Sequence, residues 1–126
     1  MSSERNDLDQ FDALWKATVR FRRVSRELEP LMRDVYAAYG DAIALRAALQ
    51  RLLEFLTSDL GRTDANCSTT DAFISATEDL WRSLPEPLHG ILDDMGGTLH
   101  DSIHAPSIAK TFEATPEQLL ERVRKA

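Results

Sequence analysis

Apolar residues recur at three- and four-residue spacing along most of the chain, and no useful stretch alternates with the period of two expected of a strand. The pattern predicts helices nearly everywhere. Leu8, Phe11, Leu14, Thr18, Phe21, Ser25 and Leu28 form one stripe, which predicts a first helix from about Asn6 to Leu28. Pro30 is expected to kink or break the chain, since an interior proline costs ~3 kcal/mol. A short helix then carries Leu31, Met32, Val35, Tyr36 and Tyr39 to Gly40, a residue suited to a left-handed stop. Asp41 caps a third, most apolar helix with Ile43, Ala47, Leu49, Leu52, Leu53, Leu56 and Leu60, stopping at Gly61. This helix is expected to be the central one.

Residues 61–69 read as a polar loop. Ser68 and Asp71 fit a capping box for a helix of roughly four turns through Phe73, Ile74, Thr77, Leu80, Trp81 and Leu84, broken by Pro85 and Pro87. The next helix opens near Pro87 and keeps its stripe from Leu88 to Ile103, before Pro106. Thr115-Pro116-Glu117-Gln118 is an N-terminal capping signature for a last helix with Leu119, Leu120 and Val123. The fold expected is all-α: a single-domain helical bundle spanning 1–126, with four main helices plus short extra ones, and with residues 1–5 disordered. A chain of 126 residues needs neither disulfide nor metal to fold.

Charge alters the picture at one place. The net charge is −6, yet residues 16–33 carry +4 and the remainder −10. Lys16, Arg20 and Arg23 fall opposite the apolar stripe of the first helix, which makes that helix a basic strip on an acidic body. Such a strip is either a solvated face paired with neighbouring acids or a docking site for an acidic partner. An acidic chain is poorly suited to neutralising phosphates, so nucleic acid is not expected as a partner. No apolar run approaches ~18 residues and the N-terminus lacks an apolar signal core, so a cytoplasmic protein without membrane partners is expected.

The candidate chemistry is sparse. No Walker, GxGxxG, GxSxG, HExxH or paired CxxC pattern occurs, which argues against an enzyme. Cys67 is alone and reads as an inert thiol, although a helix N-terminus next to it would lower its pKa. On a helix over residues 87–105, His89, Asp93, Gly97, His100 and His104 share a strip about 80° wide at the edge of the buried face. His100 and His104, four apart, have the spacing at which two imidazoles share a divalent transition metal, with Asp93 as a further ligand or an orienting carboxylate. A remaining ligand would come from Asp59, Asp64 or Glu78. The competing readings are plain surface residues and a salt-bridge cluster with Asp93, Asp94 and Asp101.

Gly96-Gly97 inside this helix means close helix packing, a break, or a ligand approaching the backbone. Trp15 and Trp81 are expected in the core, as are Tyr36 and Tyr39. Arg82 and His89 have a spacing similar to the Arg-to-His motif of helical-bundle nucleases, but Pro85 and Pro87 interrupt the helix it requires, and it is set aside. The function expected is that of a small non-enzymatic interaction or regulatory protein, of adaptor or immunity type, with a protein partner and a possible homodimer. The binding residues it would use are Lys16, Arg20, Arg23, Asp93, Gly96, Gly97, His100, Asp101 and His104. The alternative is a metal- or small-ligand-binding bundle built on His100, His104 and Asp93.

Overall fold

The computed structural model describes residues 3–99 and 115–126, and within them every regular element is a helix. These are α1 (Ser3–Val19), α2 (Leu28–Ala37), α3 (Ala42–Thr57), α4 (Asp64–Ala76), the short α5 (Glu78–Trp81), α6 (Leu88–Thr98) and α7 (Pro116–Lys125). They pack as one all-α domain. Two sets share its core: α3 lies on α2 and α7, and α4 lies on α6 and α1. The apolar α3 is thus one of two organising helices rather than the single centre. None of the helices is long and apolar enough to cross a membrane.

An aromatic cluster joins the first half to the second. Phe11 and Trp15 of α1 stack at 5.8 Å, and Phe11 meets Tyr36 of α2 at 5.5 Å and Phe73 of α4 at 5.3 Å. Each such pair adds roughly 0.5–1.5 kcal/mol beyond its area burial. Arg33 covers the cluster, with its guanidinium 4.8 Å from the Phe11 ring centre and 2.7 Å from Asp12. One cation of the basic segment is therefore engaged by the fold itself.

Several predicted boundaries move. The first helix ends at Val19, not Leu28. Phe21 has φ 70° and is 97% exposed, so it leaves the stripe it was expected to share. The chain turns there so that α2 can fold back and place Leu28 and Tyr36 in the core. Pro30 does not break a helix. It stands in the first turn of α2, where no backbone N–H is required. Asp41 caps α3 as expected, accepting from the N–H groups of Ile43 and Ala44, but Ile43 and Leu60 face solvent and α3 stops at Thr57.

The expected loop 61–69 is largely helix. Thr63, not Ser68, is the cap of α4, accepting from Asn66 N–H. The next stretch is two helices rather than one, divided at Thr77. Its hydroxyl donates into the turn at Phe73 and Ile74, and accepts from the Trp81 indole at 3.0 Å. The Thr115 capping box is present, reciprocated by Gln118. The N-terminal helix begins at Ser3, inside the segment expected to be disordered. Among the described glycines none has positive φ, so neither Gly40 nor Gly61 is a left-handed stop.

Candidate functional site

The helix that carries His89 and Asp93 is set by Pro87, its N-cap, and runs without a break through Gly96 and Gly97. At Gly96 the reason is close packing. An added Cβ would stand 3.1 Å from Ile74 Cγ2 and 3.3 Å from the Ser75 backbone N, and the Ser75 hydroxyl donates to the Gly96 carbonyl. At Gly97 a Cβ would meet nothing within 4 Å. This approach of α6 to α4 leaves a cleft of about 170 Å³ next to it. Its floor is Ile74, Trp81 and Leu92, and its rim includes Ser75, Glu78, Arg82, His89 and Asp93. Glu78 and Asp93 are exposed and have no ion-pair partner among the described residues. Arg82 is held by Asp79 at 2.8 Å.

Comparison with protein-family models, with curated proteins and with solved structures returned no match to this chain. The reading of its sites therefore rests on the geometry. The fold brings Asp93, Gly96, His89 and Glu78 to the one cleft. Asp64 stands at the opposite end of α4. His100, Asp101 and His104 lie outside the described residues, and among those described no three His, Cys, Asp or Glu side chains gather as a metal-holding group. Asp94, expected beside the histidines, pairs with Arg122 of α7. Arg82 and His89 sit on either side of the proline break, as expected, yet both line the cleft. Sequence spacing did not reveal that, because α5 and α6 meet only through the fold.

The second place is the connection between α1 and α2. Lys16 lies in the last turn of α1, whereas Arg20 and Arg23 are beyond it, so the basic strip is a helix end and a turn rather than one helix face. Arg22 donates to the Thr18 carbonyl at 2.5 Å, a cation at the negative end of the helix. The Arg20 guanidinium lies 5.4 Å from the centre of the Phe21 ring. Arg20, Arg22, Arg23 and Arg26 are exposed and make no ion pair among the described residues. The turn is anchored from below by Asn66, which is fully buried. Its Oδ1 accepts from Ser25 N–H at 3.0 Å, and its Nδ2 donates to Ser25 Oγ and to the Gly61 carbonyl, each at 2.9 Å. Sequence reading missed Asn66, which lies in a polar run that resembles a loop. A cap residue three positions earlier, Thr63, was the available signal.

Cys67 is fully buried, one turn into α4. Burial overrides the helix terminus and pushes its thiol up to about 11, against the lesser lowering by Arg62. The thiolate fraction at pH 8 falls about a hundredfold against a free thiol. Alkylation by iodoacetamide is accordingly expected to be slower by at least that factor in the native protein than in urea. The folded pKa lies above the unfolded one, so the contribution to stability is complete below about pH 9. It is lost as pH rises towards about 11, and Cys67→Ala is expected to flatten that alkaline decline in urea titrations.

Proposed function

We propose that this chain is a non-enzymatic interaction protein that engages a partner through the arginine-rich turn between α1 and α2. The observation that supports it most is Phe21. A large apolar side chain stands 97% exposed on a left-handed backbone, between arginines in the chain that make no ion pair among the described residues. The left-handed region costs a non-glycine residue roughly 1–2 kcal/mol, and the exposed ring itself contributes no burial in return. A partner surface with acidic groups around an apolar contact would use both features, and aromatic and arginine side chains dominate binding hot spots.

Phe21→Gly separates folding from binding. Relief of the strain is expected to raise stability by about 0.5–1 kcal/mol in urea denaturation. In the same variant, partner retention on immobilised protein is expected to fall, and Arg22→Glu with Arg23→Glu should reproduce the loss. Identical sets of retained proteins for wild type and both variants would refute the reading.

A second reading has one observation in its favour: His89 and Asp93 of the histidine strip do line a cleft. In that reading a divalent transition metal or small ligand is held by Asp93, His100 and His104. Native mass spectrometry after zinc addition would show an excess of one zinc that His100→Ala removes. An unchanged apo mass would dismiss it.

A further inference from the structure

The turn and the cleft sit at opposite ends of α4. Asn66, in its first turn, holds the basic turn, and Ser75, in its last, lines the cleft. Nine residues of helix separate them, about 13 Å. The two places are also complementary. The turn offers one exposed phenyl ring, preceded in the chain by Arg20 and followed by Arg22 and Arg23, with the Arg20 guanidinium 5.4 Å from the ring centre. The cleft offers an apolar floor of Ile74, Trp81 and Leu92 below two exposed carboxylates, Glu78 and Asp93. Its volume is about 170 Å³, room for one ring between that floor and the polar rim of Ser75, Glu78, Arg82, His89 and Asp93.

We infer that the cleft between α4, α5 and α6 is the receptor for Phe21 of a second copy of this chain, with Glu78 and Asp93 facing the arginines that flank the ring. This deepens the reading of Phe21 as a docking residue, and rests on it, by naming an occupant. Because turn and cleft are different surfaces at opposite ends of α4, a single docked contact is head-to-tail. It extends each assembly by one copy at a time, or closes into a ring. The acidic body repels its copies at long range, but at physiological salt that repulsion is screened beyond about 8 Å, while the docked groups are in contact.

The test is sedimentation equilibrium of the full chain at 150 mM salt, from about 5 μM to about 1 mM. The wild type is expected to rise in average mass above the monomer's 14.2 kDa as concentration increases. Phe21→Ala disables the turn, and Glu78→Lys with Asp93→Lys disables the cleft. Each variant alone is expected to lose at least about thirtyfold in association, the change of a hot-spot truncation. Mixed in equal amounts they complement. The intact turn of one fits the intact cleft of the other, and the mass stops at a dimer because neither product has a second working pair. The altered positions are exposed, and Glu78→Gln with Asp93→Asn is a milder cleft variant should the lysines disturb folding. A wild type that stays monomeric throughout overturns this inference and leaves the capture experiment above to judge the wider reading. Association that survives Phe21→Ala, or variants that fail to complement, also overturns it.

Discussion

Gly61→Ala will lower stability by about 3 kcal/mol or more, the upper part of the range for forcing extra volume into a packed site. A Cβ at this position would lie 2.0 Å from the Phe55 carbonyl oxygen and 2.7 Å from its carbon. The obstacle is backbone near the end of α3, so no rotamer change relieves it. The glycine is needed for space and not for its conformational freedom, because its φ is not positive. The chain must pass close over Phe55 to deliver Thr63 as the cap of α4 and to point the Gly61 carbonyl at Asn66. In a protein of this size 3 kcal/mol corresponds to a fall of about 10 °C in the thermal midpoint. Gly40→Ala is the control. A Cβ there meets nothing within 4 Å, and its effect should stay within about 0.5 kcal/mol. Scanning calorimetry that finds equal midpoints for the two variants would contradict this account of the close approach.

Asn66→Ala is expected to cost a similar amount, about 3 kcal/mol, for a different reason. Its amide is buried and fully used, with one acceptor and two donor contacts to Ser25 and Gly61. Truncation leaves the Ser25 N–H and the Gly61 carbonyl without those partners, at roughly 1–3 kcal/mol for each buried group left unsatisfied. Asn66→Asp should be no milder. It keeps an acceptor for Ser25 N–H but places a buried carboxylate against the Gly61 carbonyl oxygen, which can only accept. The consequence extends to function. Ser25 is the point at which the turn of Arg20–Arg23 is fastened to α4, so freeing it raises the entropic cost of presenting Phe21. Asn66→Ala should therefore weaken partner binding even at temperatures where the protein remains folded. Full binding by a destabilised variant would show that the turn holds its shape without the anchor.

The two sites were legible to different degrees. The strip of His89 and Asp93 was visible because helical periodicity places residues on faces without reference to the rest of the chain. What the wheel did not contain was the opposing wall. Glu78, Arg82, Ile74 and Trp81 come from α4, α5 and the turn after it, and only packing of α4 on α6 sets them against Asp93. The basic segment was visible as charge, but it was placed on a helix. Periodicity continued through Phe21 to Leu28, and nothing local marks a turn at Phe21, an aromatic residue in a conformation such residues rarely adopt. Tertiary burial of Leu28, Tyr36 and the Phe11 cluster outweighs that local preference.

The amino-acid sequence by itself determined the all-helical class, the Asp41 and Thr115 caps, the helix start at Pro87 and most of the core, including Phe11, Leu49, Leu53, Phe73, Ile91 and Leu92. These follow from local rules: spacing along a helix, side-chain caps and the missing N–H of proline. Only the tertiary structure decided that α1 ends at Val19, that Asn66 is buried beneath the turn, that Gly61 must be glycine and that Cys67 is fully buried. Each of those depends on atoms distant in sequence, Asn66 on Ser25 across 41 residues among them, and contacts of that range are chosen by the packing of the whole core and not by any local pattern.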